Sequence, residues 1–475
     1  MKIGISKIEL LDELEKAISI NEFSVFIGAG LSKGAGYFDW KGLLKAPAMK
    51  LDLDVDEEHD LVSLAQYYCN QEGRSEINKL IRDTFPTSLP LNENYRLLSY
   101  LPIDTYWTTN YDILIEKSLR ENSREPLVIT EDKNMHLQSK KYDAVVYKMH
   151  GDVENPNNAV LTRDDYERYG ITERALFKDV LEGHLITNTF LFLGFSFTDP
   201  NFNFILGKLN ALTDRNTRKH YCVIKKVSAE DFTKEVDGKR VLDEEKYKYN
   251  QVKQKLFIKD LKSRYKIETY LIESYDEITE VLSDLYSRYK KKTVFISGSA
   301  DDYDPLDEQD AQRLISRLSY RMAEEGYHIV SGYGKGIGSY IIDGVTEYCY
   351  SKHNKKISDY LTLMPFPLNS VSNKDLKDTW SQYRDEMIQS AGIALFMFGN
   401  KLKDGKLATA DGMIEEFEIS KNYKLDIISL EYTGNASKQI SELNGEKSNN
   451  FKTFKDVNSS VEEIIEKLAV MSRRR

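Results

Sequence analysis

Apolar residues along this chain fall into short unbroken runs that end in glycine or a small polar residue. Between them lie longer stretches in which apolar positions recur every three or four residues. The run Phe23-Ser-Val-Phe-Ile27 leads into Gly28 and predicts a strand buried on both faces. Similar runs predict strands at 104–109, 144–149, 189–194 and 220–224, with helices between them, for instance at 61–69 and 112–120. Residues 1–18 pattern as an amphipathic helix. Residues 227–266 are highly charged and helix-prone, 270–272 add a short strand, and 278–289 form a closing helix.

After Lys290-Lys-Lys292 the same grammar starts again. Strands are predicted at 293–297, 327–331, 360–365 and 393–398, with an amphipathic helix at 308–325. Strands alternating with helices indicate parallel, doubly wound sheets. The expectation is therefore an α/β protein of two Rossmann-like domains, 1–289 and 290–475, each a parallel sheet with helices on its faces. No solenoid period or low-complexity segment interrupts it.

Composition narrows the function classes. A length of 475 residues exceeds what one hydrophobic core supports. A net charge of −10 argues against a general affinity for nucleic acid. Cys69, Cys222 and Cys349 are too scattered for a disulfide framework or a Cys-x-x-Cys metal pair, and no metal site is expected. With no signal peptide and no apolar run of membrane-spanning length, a cytoplasmic location follows and no membrane partner is expected.

The candidate chemistry lies at the ends of the predicted strands. Gly28-Ala29-Gly30-Leu31-Ser32 follows the first, where glycines and a helix N-terminus suit a pyrophosphate. Thr108-Thr-Asn110-Tyr-Asp112, His150-Gly-Asp152 and Gly194-Phe-Ser196, with Asp199 just beyond, follow three others. Each cluster has a purely structural alternative: Asn110 a helix cap, Asp112 a first-turn carboxylate, His150 a hydrogen-bonded core residue. Four such coincidences at strand ends favour one shared crevice.

In this order and spacing the motifs resemble the sirtuin (SIR2) family. The resemblance implies that NAD is the substrate and that Gly28, Ala29, Gly30 and Ser32 lie at its phosphates. It implies Asn110 at the ribose or a water, Asp112 at the nicotinamide carboxamide, His150 as the catalytic histidine, and Gly194, Ser196 and Asp199 nearer the adenosine side. Two departures stand out: the paired zinc cysteines of protein-deacylating sirtuins are missing, and Gly36-Tyr-Phe-Asp-Trp40 replaces their proline-containing loop. Both count against a protein deacylase.

In the second half, Gly298-Ser299-Ala300 and Gly332-Tyr-Gly334-Lys-Gly336-Ile-Gly338 are glycine-rich turns after strands. Arg384 and Lys401 supply positive charge for phosphates, and Glu415 or Glu416 can accept from ribose hydroxyls. The plain alternative is solvated helix charges. This half resembles the SLOG superfamily of lysine-decarboxylase-like folds. Residues 399–416 stand where the related hydrolases carry PGGxGTxxE, which favours binding over turnover. SIR2 and SLOG together resemble the effector family of Thoeris antiphage systems. That resemblance implies a TIR-domain partner protein making a cyclic ADP-ribose isomer as activator, NAD depletion in response, and a homo-oligomer, tetrameric or larger. A non-catalytic nucleotide sensor is the rival reading.

Overall fold

The computed structural model describes residues 4–34, 36–137, 139–212, 218–236, 239–353, 355–369, 375–403, 405–445 and 449–473. The chain divides into two compact units, Met1–Leu285 and Tyr286–Arg475. The division falls inside the helix Asp276–Lys291, a few residues before the lysine run at which the sequence reading breaks the chain.

The first unit begins with the helix Lys7–Ser19. A reciprocal capping box between Ser6 and Glu9 starts it, and its apolar side buries Leu10, Leu11, Leu14 and Ile18. Its strands are β1 (Phe23–Ile27), β2 (Thr105–Thr108), β3 (Pro126–Ile129), β4 (Ala144–Lys148), β5 (Thr189–Leu193), β6 (His220–Lys225), a hairpin β7 (Thr233–Val236) and β8 (Lys239–Leu242), and β9 (Ile267–Ile272). Seven of them form a parallel sheet in the order β3-β4-β2-β1-β5-β6-β9. Every residue of β1 and β5 is buried, as expected of central parallel strands covered by helices on both faces. The charged stretch read as helix-prone holds the hairpin as well as the 22-residue helix Glu244–Tyr265. Strand β3 was not foreseen.

The strands of the second unit's sheet are β10 (Thr293–Ser299), β11 (His328–Ser331), β12 (Leu361–Leu363), β13 (Ile393–Phe398), β16 (Asp426–Ser429) and β17 (Asn449–Asn450). They run in the order β12-β11-β10-β13-β16-β17, again parallel. A separate hairpin pairs β14 (Asn400–Lys403) with β15 (Lys406–Thr409). Helices Glu308–Glu324, Gly338–Ser351 and Val457–Arg473 pack their apolar stripes into one core against one face of the sheet. Among the described residues no helix is long and apolar enough to cross a membrane.

His220 on β6 carries a testable consequence of burial. The Phe190 N–H donates to its Nδ1 at 3.2 Å, and burial, helped by the nearby Arg218 charge, pushes its pKa from 6.5 down to about 3. Between those values the unfolded chain holds a proton that the folded chain refuses. Stability therefore falls as pH drops through this window, by roughly 1.4 kcal/mol per pH unit for one such group. Denaturant midpoints at pH 7 and pH 5 should separate more for the wild type than for His220→Gln. Equal separations would show that another group governs the acid limb.

Candidate active site and nucleotide pocket

In the first sheet, four neighbouring strands, β4-β2-β1-β5, each deliver one of the sequence clusters at the carboxyl end. The chain leaves β1 toward β2 on one side and returns to β5 on the other, which makes this the switch point where open α/β sheets bind ligands. A cleft of about 1010 Å3 opens there, lined in part by Gly30, Thr109, His150, Tyr166, Gly194 and Asp199.

The glycines of the β1 and β5 turns serve each other first. Gly194 has φ +62, and a Cβ on it would lie 2.2 Å from the Leu31 nitrogen. A Cβ on Gly28 or Gly30 would come within 2.5 or 2.9 Å of the Gly194 carbonyl oxygen. The two turns touch backbone to backbone, joined by the Gly30 N–H donating to Gly194 O at 3.0 Å. Only glycine permits this approach. It places the short helix Ala29–Lys33 at the mouth of the cleft.

Ser32 is the hub of a buried polar floor that lies behind the residues lining the cleft, with Ser32 next in sequence to Leu31 and Lys33, and Asn110 next to Thr109, which do line it. Its hydroxyl donates to Asp112 Oδ2 at 2.8 Å, accepts from Asn110 Nδ2 at 2.9 Å, and lies 2.7 Å from the Tyr95 hydroxyl. Ser32, Asn110 and Asp112 are all buried. Asp112 is fully engaged, because its other oxygen accepts the Leu114 N–H that opens the helix Leu114–Glu121. Burial pushes its carboxyl up, against the pull of Lys148 and the Ser32 bond. Asn110 does not cap the helix Leu114–Glu121 that follows it, and its buried Oδ1 has no hydrogen-bond partner among the described residues.

His150 is no hydrogen-bonded core residue either. Its Nε2 stands 3.2 Å from Asp199 Oδ2, outside hydrogen-bond alignment, and its Nδ1 has no partner among the described residues. Ser196, expected near the adenosine, shares a hydrogen bond with the Thr198 hydroxyl on the exposed rim. Among the described residues no group of three or more His, Cys, Asp or Glu could hold a metal ion.

Sequence reading missed the support beneath this floor. Lys148, the last residue of β4, is fully buried. It pairs with Glu116 at 3.0 Å and with Asp152, and donates to the Asp112 carbonyl at 2.6 Å. It thus ties the Asn110 loop to the His150 loop. Burial opposes its charge, but Glu116 and Asp152 outweigh burial and raise its pKa. Glu116 and Asp152 share this one ammonium, so burial still pushes Glu116 up. The available signal was a lysine closing the otherwise apolar strand Ala144-Val-Val-Tyr-Lys148. Arg174, left-handed at φ 58, buttresses the His150 loop through the Lys148 and Asn158 carbonyls.

In the second sheet the glycine turns again sit on adjacent strand ends, β11-β10-β13. A Cβ on Gly334 would lie 1.9 Å from Gly298 O, and one on Gly336 (φ +73) 2.2 Å from Ala300 O. Ser299 donates to the Asn400 carbonyl, and Gly332 lies against the Phe366 ring. Arg384 stacks over Phe366 at 5.0 Å and pairs with Glu415 (2.8 Å) and Glu416 (3.4 Å). Glu416 also accepts from the Ser297 hydroxyl at 2.6 Å, and burial raises its pKa. Lys401 instead pairs with Asp411 at 2.9 Å. The structure thus brings Arg384, Glu415 and Glu416 together as one charge cluster, with both acids serving as counter-ions of the arginine.

Family models match both parts of the chain. Residues 104–252 match the SIR2-like domain, and residues 277–473 match the Sir2- and TIR-associating SLOG family. The class is a SIR2-like domain followed by a SLOG domain. The chain is 44% identical to the NAD(+) hydrolase ThsA of Enterococcus faecium over 91% of its own length and 89% of that protein. It is 42% identical to the protein of the same name from Bacillus cereus (strain MSX-D12), over 90% and 88%. It is also 25% identical to the defense-associated sirtuin 2 of Bacillus subtilis, over 46% of this chain and 22% of that one. The chain belongs to the ThsA NAD(+) hydrolase family.

Proposed function

We propose that the chain cleaves NAD to nicotinamide and ADP-ribose in the N-terminal cleft. We further propose that it acts as an effector of Thoeris-type antiphage defence, switched on by a cyclic ADP-ribose isomer bound to its C-terminal unit. The observation that carries the first part is the pair of buried, unpartnered polar atoms, Asn110 Oδ1 and His150 Nδ1, beside a cleft at the sheet's switch point. Buried polar atoms are ordinarily paired, and leaving one unpaired costs about 1–3 kcal/mol. Two such atoms at one cleft fit a ligand that completes them.

Nicotinamide leaves NAD as a neutral group while the ribose gains oxocarbenium character. The site must hold the ribose, orient a water and accept its proton. Asn110 suits the orienting role and His150 the accepting role. Ser32, with Asp112 and Tyr95 behind it, locks the Asn110 side chain in place.

The second part is supported by the glycine turns of the second sheet and by Arg384 set among carboxylates. Glu415 is the more exposed partner, and an exposed ion pair is cheap to exchange for a ligand anion. The signal must bind the active arrangement better than the resting one, and that difference caps the switch. A TIR-domain protein would supply it, and assembly into a tetramer or larger oligomer belongs to the same proposal.

NAD consumption by the purified full-length chain, with and without a cyclic ADP-ribose isomer, tests both parts. Arg384→Ala is expected to lose the signal-dependent rise while a melting curve still shows a folded protein. Normal activation of that variant would remove Arg384 from the pocket, and NAD left intact under every condition would overturn the enzymatic reading.

A further inference from the structure

Asp199 was grouped with the nucleotide contacts on sequence, yet its surroundings point elsewhere. It immediately precedes the helix Pro200–Leu212, and its two oxygens are held in different ways. Oδ1 accepts the Phe202 N–H at 2.8 Å. Oδ2 accepts the Tyr166 hydroxyl at 3.0 Å and stands 3.2 Å from His150 Nε2. The Asp199 side chain keeps only 9% of its exposure. A carboxylate so enclosed is costly unless a cation or several donors face it.

The titratable groups facing the His150 ring are few. Tyr166, from the helix Arg163–Arg168, meets it edge-on at 5.6 Å, and Tyr169, just beyond that helix, at 6.3 Å. Burial raises both phenols, so both stay neutral and Asp199 is the anion at the ring. Although burial works against it, the Asp199 carboxyl is held below the ordinary carboxylate range by the adjoining His150 ring and by hydrogen bonds from the Phe202 N–H and Tyr166.

We propose that Asp199, anchored by Tyr166, is the positioning residue of His150, turning Nε2–H toward the carboxylate and leaving Nδ1 to take the proton of the attacking water. This rests on the NAD-hydrolysis reading. The water oxygen bonds to the ribose anomeric carbon as the carbon–nitrogen bond breaks, with that electron pair leaving on nicotinamide. The water proton passes to Nδ1, and the imidazolium formed is balanced by Asp199 until the proton returns to solvent. An Asp–His pair of this kind fixes both tautomer and ring orientation.

The test compares wild type, Asp199→Asn and Tyr166→Phe in the full chain. For Asp199→Asn, kcat should fall on the order of 100-fold, the usual worth of a positioned base, while KM for NAD barely moves. The acid limb of its kcat–pH profile should shift to lower pH, because the imidazolium loses its anion. Tyr166→Phe should show the same pattern, more weakly. A raised KM with unchanged kcat would overturn the proposal and return Asp199 to the nucleotide contacts. The pairing itself is read independently of turnover by following the His150 imidazole with 15N-histidine NMR, assigned against His150→Gln. Its titration should move to lower pH in Asp199→Asn. An unmoved titration refutes the pairing even in a chain that hydrolyses NAD, whereas a moved one in a chain that leaves NAD intact faults only the enzymatic reading.

Discussion

Asn110→Ala is expected to cut NAD hydrolysis on the order of 100-fold or more, since misplacing a reacting group by an ångström already costs about that much. The fold should survive almost unchanged, for a specific reason. The Asn110 side-chain amide donates to the Ser32 hydroxyl and also reaches the Tyr95 hydroxyl, while its Oδ1 stays buried and unpaired among the described residues. Ser32 keeps Tyr95 and Asp112 when that donor is lost. Truncation therefore removes donor bonds worth roughly 1 kcal/mol each and also removes an unsatisfied atom whose burial costs a similar amount. A side chain that contributes so little to stability at a buried site is placed for a ligand. Steady-state NAD consumption with a parallel denaturation curve decides it. Activity near wild type would exclude Asn110 from the chemistry, and a large loss of stability would mean that the amide is structural.

Lys148→Met should show the opposite signature. This lysine is fully enclosed and faces Glu116, Asp152 and the Asp112 carbonyl. Methionine matches its length but leaves buried carboxylates without their cation. Removing one partner of a buried ion pair typically costs about 3–5 kcal/mol, a large share of any domain's stability. The first unit should lose that much in a denaturant titration, and NAD hydrolysis should fall with it because the Asn110 and His150 loops lose their common tie. Adding Glu116→Gln and Asp152→Asn to the methionine variant should recover much of the stability, since no buried charge is then left alone. A single variant as stable as wild type would show that water reaches the cluster.

The central strands were legible because a parallel strand covered on both faces must be apolar throughout, and Phe23–Ile27 and Ile393–Phe398 are buried at every position. Other strands were not. Pro126–Ile129 at the edge of the first sheet and Asp426–Ser429 inside the second are four residues each, too short to show a period of their own. The hairpin Asn400–Lys403 with Lys406–Thr409 is mostly polar and exposed, so no apolar run announces it. The clusters Gly28–Ser32, Asn110–Asp112, His150 and Gly194–Asp199 stood out because glycines and polar residues directly after buried strands have few other uses. Their grouping as one site was an inference from fold class.

What the sequence determined by itself, then, was local and periodic: which segments are buried strands, where each ends, and which polar side chains stand at those ends. Tertiary structure alone decided the rest. The order β4-β2-β1-β5 makes neighbours of residues 28, 110, 150 and 194, because strand order depends on the hand and length of crossover connections rather than on any local pattern. Burial then chose the partners. A lysine at 148 is an ordinary surface residue until the sheet closes over it. An arginine at 384 is a free cation until Glu415 and Glu416 fold against it. Charges pair according to which ones the fold removes from water together, and no reading along one dimension contains that information.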